Sequence, residues 1–211
     1  MAERPRGSES GAVDGRTRRW DDHKSARRDR ILRAGLAAIR RDGPAVAVQE
    51  IATHAEVPRS VVYRIFKDRE DLDEQLRARI VEELMGALAP VLEPADTLEV
   101  ALPRAVDAYV GWVLENQRLH QFLALGSGVV TEARTAIAAR VERALVLILR
   151  KRPDALPLAD LMAFAITGLV DAAVTRWLAD PHPALTAGQL SAFLQDAIGQ
   201  VIAARLREAR R

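Results

Sequence analysis

Leu72, Leu76, Ile80, Leu84 and Ala87 follow one another at helical spacing, and only a helix brings them onto one side. A helix with so long an apolar line must bury it against other helices or a sheet. The rest of the chain decides which. Ile31, Leu32, Leu36 and Ile39 repeat the same period in a segment that Asp21 or Asp22 can cap and that runs to about Arg41. There Asp42-Gly43-Pro44 stops it. Aromatic residues make up 4% of the 211, and Ala, Leu, Val and Arg dominate. Good helix formers are therefore everywhere, and the β-branched and aromatic runs that strands need are few. No strand and no internal repeat stands out. The chain is read as all-α.

Further helices are expected over 48–55, 59–66 and 69–87, followed by a loop bracketed by Pro90 and Pro94. Four more are expected. The first spans about 97–117, with Pro103 in its first turns or kinking it. The second, over 131–151, ends before Pro153, and the third, over 157–179, ends before Asp180-Pro181-His182-Pro183. The last runs over 186–210. Residues 1–20, rich in Gly, Ser and Arg, read as a disordered basic arm with Trp20 packing back on the first helix. Arg16, Arg18 and Arg19 would be solvated in a plain tail, or would touch phosphates or a minor groove if the arm follows DNA.

Charge is unevenly distributed. Residues 1–72 hold 16 Lys and Arg against 12 Asp and Glu, whereas the remainder holds 15 against 17. A basic front suits a chain whose first part meets a polyanion. Several classes fall away. Without cysteine there are no disulfides, thiolate metal sites or cysteine nucleophiles. His23, His54, His120 and His182 are scattered, with neither a His-Glu-x-x-His pair nor a helical Glu-x-x-His set, so no metal site is expected. Gly126-Ser127-Gly128 lacks the rest of a phosphate-binding loop and reads as a turn. No Ser, His and carboxylate grouping stands out. No catalytic residues and no cofactor are expected. No signal peptide and no apolar run long enough to span a bilayer is read, so the expected location is the cytoplasm, with no membrane partner.

The segment from Val48 to Lys67 has the pattern of a helix-turn-helix. Two short helices that cross steeply need a small residue at the crossing and apolar residues facing the helix beneath. Ala52 is small enough for the crossing, Ala55 and Val57 flank the turn, and Val62 and Ile65 hold the second helix down. What remains exposed is Arg59, Ser60, Tyr63, Arg64 and Lys67, a set of donors that can reach phosphates and base edges. An ordinary helical hairpin would share the apolar spacing.

The stretch Ile31-Leu32, Gly43, Val48-Gln49-Glu50-Ile51-Ala52, Ala55-Glu56-Val57, Val62-Tyr63-Arg64-Ile65-Phe66 and Glu70-Asp71-Leu72 resembles the N-terminal domain of TetR-type bacterial transcriptional regulators. The specific resemblance covers about residues 25–75. It implies a three-helix helix-turn-helix DNA-binding domain over 21–68 and a larger helical effector-binding and dimerisation domain over 69–211. It also implies DNA contacts from Gln49, Arg59, Ser60, Tyr63, Arg64, Lys67 and Arg69. Tyr63 stands where the family commonly contacts phosphate, and Arg69 where it often has a phosphate-binding Lys; Phe66 looks like the core aromatic that seats the recognition helix. There are departures. Glu56 replaces the family's turn glycine, Pro58 replaces the usual Ser, and Ala47 and Val61 stand where the family often has Thr or Ser. With fewer hydroxyl contacts, more of the affinity falls to Arg and Lys, and salt dependence should be steep.

In the second half, two helices read as a dimer interface that would form an intermolecular four-helix bundle, as the resemblance implies. One presents Ala165, Gly168, Leu169, Ala172, Ala173 and Trp177. The other presents Leu190, Leu194, Ala197, Ile198, Val201 and Ile202. Packing within a monomer would use the same residues. Tyr109, Trp112, Leu119, His120, Phe122, Met162 and Phe164 are the lining set for a small, mainly apolar effector. Each also fits ordinary core packing. The expected function is a ligand-responsive regulator, a repressor binding a palindromic operator as a homodimer. The alternative is a DNA-binding architectural or cell-division protein of the same fold.

Overall fold

The computed structural model describes residues 10–91, 98–125, 128–149 and 156–208, with side chains over 25–91, 101–125, 135, 137–147 and 156–204. The Gly126-Ser127 turn and the side chains of Trp20 and the N-terminal arginines lie outside the described residues. The described residues are helical throughout apart from turns. The chain divides into two compact units, Met1–Leu76 and Arg77–Arg211. The division falls inside a helix.

In the first unit α1 (Ser10–Asp42) supports α2 (Val48–His54) and α3 (Arg59–Ile65), and α4 (Arg69–Leu88) begins there. The core is the set the apolar period marks: Ile31, Leu32, Leu36 and Ile39 with Ile51, Ala52, Val62, Phe66, Leu72 and Leu76. Gly35 is part of the fit. A Cβ there would stand 2.7 Å from a methyl of Leu76, so the glycine lets α4's first turns lie close against α1. This is why Leu72 and Leu76 belong to the first unit. Helix α1 stops as expected, with Gly43 at φ +99° and its N–H donating 2.9 Å to the Ile39 carbonyl. Its start differs from expectation. The arm expected to be disordered over 1–20 is helical from Ser10 onward, because Ser10–Trp20 contains no proline and extending an existing helix avoids the cost of nucleation.

The second unit holds α5 (Leu98–Glu115), α6 (Gln117–Ala124), α7 (Gly128–Leu149), α8 (Ala159–Leu178) and α9 (Ala187–Glu208). Helix α7 packs along α8, and α5 along α9. Helix α6 was not expected. It is only eight residues long and is set off from α5 by Asn116 alone, too short for periodicity to announce it. Pro103 sits inside α5. At the other end, Thr186 and Gln189 form a reciprocal cap on α9, each side chain accepting from the other's backbone N–H at 2.9 and 3.3 Å.

Helix α8 corrects two expectations. With the turn before it, Leu156–Leu178 is long and apolar enough by length and composition to cross a membrane, although the sequence reading found no such run. Asp160, Asp171 and Arg176 interrupt it, which is why it escaped notice. Phe164, expected to line an interior pocket, is 57% exposed. The helix buries Ala159, Met162, Ala163 and Ile166, and position 164 lies one residue past that line.

Candidate nucleic-acid interface

Helix α2 ends in a full Schellman turn. The Glu56 N–H donates to the Thr53 carbonyl at 3.1 Å and the Val57 N–H to the Ala52 carbonyl at 3.0 Å. That geometry requires a left-handed residue, and Glu56 adopts φ +54°. The turn keeps the shape glycine would give it and carries the steric cost of a Cβ. We therefore expect Glu56→Gly to raise unfolding free energy by about 1 kcal/mol, read by urea denaturation. An unchanged or lowered midpoint would mean the glutamate side chain contributes something the backbone geometry does not reveal.

The start of α2 lacks a capping hydroxyl at Ala47, but the Glu50 carboxylate accepts the Ala47 N–H at 2.8 Å. Pro58 precedes α3 in extended geometry and caps it with its carbonyl only, which accepts from Val61 N–H at 2.9 Å. The substitution of the family's serine thus leaves the helix start intact.

On α3 the division of labour is sharp. Val62 and Phe66 are buried, while Arg59, Ser60, Tyr63 and Arg64 are exposed, as is Lys67 just beyond. The Arg59 guanidinium stands 5.4 Å from the Tyr63 ring centroid and donates to its hydroxyl at 3.3 Å. That hydroxyl accepts from Arg59 and so keeps its own proton for an outside acceptor such as a phosphate oxygen. From beneath, Arg28 of α1 lies 5.6 Å from the Phe66 ring centroid. Gln49 is exposed on α2.

A clamp holds the α3–α4 junction. The Asp71 carboxylate accepts the Lys67 N–H at 2.8 Å and the Gln75 amide at 2.5 Å, while Gln75 accepts from Arg28 at 2.5 Å. Asp68 caps α4 by accepting the Asp71 N–H at 2.9 Å. The hydrogen bond from the Lys67 backbone, above all, holds the Asp71 carboxyl below its ordinary value of 3.8. A depressed carboxyl stabilises the fold above that ordinary value, and the contribution is lost as pH falls through the folded-state value. Asp71→Asn should accordingly lower the melting temperature near neutrality, and much less in strong acid. Thermal melts at stepped pH measure this, and parallel curves for wild type and variant would refute it.

Arg69 is differently placed from what the resemblance implies. Its guanidinium donates to both Asp73 oxygens at 2.8 Å and to the Val46 carbonyl at 2.8 Å. These bonds tie α4's first turn to the loop before α2, which positions the reading helix. Sequence reasoning missed Asp71, Gln75 and Arg28 in this network. An acidic residue three positions after Asp68 was the available signal.

In the second unit, six of the seven expected lining residues are buried: Tyr109, Trp112, Leu119, His120, Phe122 and Met162. The structure adds Asp171, which accepts from the Tyr109 hydroxyl at 3.0 Å, with His120 Nε2 3.3 Å from that hydroxyl and 3.6 Å from the carboxylate. A carboxylate in the middle of the apolar run of α8 was its sequence signal. Among the described residues no three His, Asp or Glu side chains converge as a metal would need.

The expected dimer surface is half right about exposure. On α8, Ala165, Leu169 and Ala172 are exposed and Gly168 and Ala173 half-buried, while Trp177 is half-buried and donates to the Leu185 carbonyl at 2.8 Å. On α9, Leu190, Leu194, Ile198 and Ile202 are buried within this chain and cannot face a partner. Only Val201 is exposed, beside half-buried Ala197, and Phe193, which was not expected, is 55% exposed. Two apolar lines run down this amphipathic helix, and periodicity alone picked the core-facing one.

These features define a helix-turn-helix protein with an all-α second unit. No protein-family model matches the chain. Over 177 residues it is 29% identical to a helix-turn-helix-type transcriptional regulator of Mycobacterium tuberculosis, itself uncharacterised, covering 81% of this chain and 75% of the relative. A TetR-family transcriptional regulator from Streptomyces coelicolor superposes with TM-score 0.65 at 22% identity, covering 86% of this chain and 83% of that one. A TetR-like regulator from Rhodococcus sp. RHA1 gives TM-score 0.62 at 18% identity, covering 84% and 96%. The chain is TetR-like in fold, and the resemblance read from its N-terminal residues holds.

Proposed function

We propose that this chain is a cytoplasmic transcriptional regulator that binds double-stranded DNA as a homodimer and responds to a small effector held in its second unit. The observation that carries the reading is the exposed row of Arg59, Tyr63, Arg64 and Lys67 on a short helix seated by buried Val62 and Phe66. Those side chains supply donors for base edges and phosphates, and the clamp at Asp71 fixes the backbone that presents Lys67. Ser60 and Gln49 complete the contact face; Arg69 acts by positioning it. The named function of the relatives supports the same reading.

In the dimer, two α3 helices enter successive major grooves, so the operator is a rough palindrome. The exposed apolar residues of α8 and α9 supply the contact between subunits. Effector binding releases DNA only if the ligand prefers the low-affinity conformation, since differential affinity is what moves the equilibrium. Repression relieved by the effector is the proposed outcome; no catalytic role is proposed.

Sequencing of DNA fragments selected by the purified protein at stated salt tests this directly. A few palindromes near promoters are expected, with affinity falling steeply as salt rises. Many weakly selective sites would favour an architectural protein instead.

A further inference from the structure

Arg77 opens the second unit on α4, and its guanidinium carbon stands 5.1 Å from the centroid of the Phe122 ring on α6. Among the described residues its Nε is buried with no hydrogen-bond partner, and Nη1 of Arg140 on α7 is in the same condition. An arginine cannot escape burial by losing its proton, so a dry, unmatched donor is costly. Stacking on Phe122 engages the face of the guanidinium and leaves the in-plane Nε–H requiring an acceptor. The half-buried carboxylate of Asp171 in this unit is held by Tyr109. The apolar side chains of the unit include Trp112, Leu119, Phe122 and Met162.

We propose that the second unit binds an amphiphilic anion, a carboxylate or phosphate monoester on an apolar tail, whose head group takes the N–H donors of Arg77. This deepens the reading of that unit as effector-binding and rests on it. It replaces a mainly apolar ligand with one whose polar end is charged. A planar guanidinium held against a ring presents its donors as a fixed fork, the geometry that suits carboxylate and phosphate oxygens.

Isothermal titration of the full-length protein with medium- and long-chain fatty acids, monoalkyl phosphates and the methyl esters of the same acids tests the proposal. At least one anionic series is expected to bind about tenfold or more tightly than the esters, and comparison of the two series identifies the head group. Arg77→Met should remove that preference and leave ester binding unchanged. Should the Met variant fail to fold, as thermal melts would reveal, Arg77→Lys keeps the charge but loses the fork, and should weaken the anion by several-fold.

The proposal is overturned if no anion binds more tightly than its ester, or if the preference survives at full strength in the folded Arg77 variant. DNA selection on the same preparations is a separate readout. Absence of any anion preference in the wild-type protein with DNA selection intact strikes only the proposed ligand chemistry, whereas absent DNA selection strikes the regulator reading and leaves the titration to judge the ligand.

Discussion

Replacing Arg59 and Tyr63 together by Ala is expected to lower affinity for selected DNA by about three orders of magnitude without unfolding the protein. In the proposed complex each side chain would supply hydrogen bonds to bases or phosphates worth about 1–3 kcal/mol, and a symmetric dimer would lose them at two half-sites. The pair also acts as a unit: Arg59 stacks on the Tyr63 ring and donates to its hydroxyl, so each holds the other ready. Tyr63→Phe separates the two effects, since it keeps the stack and removes the phenol proton. It should cost less than Tyr63→Ala and lower the salt dependence only if the hydroxyl serves a phosphate. Both residues are exposed, with Tyr63 at 40%, so unfolding midpoints should move little. Retained DNA affinity in the double variant would remove α3 from the interface.

The second large effect concerns the subunit contact. Leu169→Glu combined with Phe193→Glu is expected to weaken dimerisation by at least about two orders of magnitude, measured by sedimentation equilibrium. A carboxylate placed in an apolar contact must be stripped of water without a partner, at a cost of several kcal/mol. In the isolated chain both positions are exposed, so the monomer keeps its fold and its helical content. A dimer that persists would place the contact elsewhere. Leu194 or Ile198, chosen from periodicity alone, would be poor probes, because changing either destroys this chain's own core.

The contrast shows where sequence reasoning reached its limit. Ile31, Ile51, Val62 and Leu72 were legible as core because helical spacing is a local property, and the exposed donors of α3 followed as whatever that core left outside. Helix ends at Gly43 and Glu56 were legible because a turn makes a demand on one residue. Glu56 reads as an anomaly in sequence, and the structure resolves it: the chain forms the same left-handed turn that glycine would, with φ +54°.

Pairings distant in sequence were not legible. Arg69 and Asp73 are an i,i+4 pair that helical spacing already offers, but only the fold turns the same guanidinium toward the Val46 carbonyl, 23 residues away. Asp171 meets Tyr109 across 62 residues, and Phe164 faces outward because its neighbours Ala163 and Met162 face in.

By itself the sequence determined an all-α chain, the extent of its helix-turn-helix, and which side of α3 carries donors. Tertiary structure decided which apolar line of α9 is core, which arginines are spent within the protein, and which buried arginine nitrogens lack an acceptor among the described residues. The physical reason is that periodicity specifies a face, while the partner of that face is chosen by packing among all the helices at once.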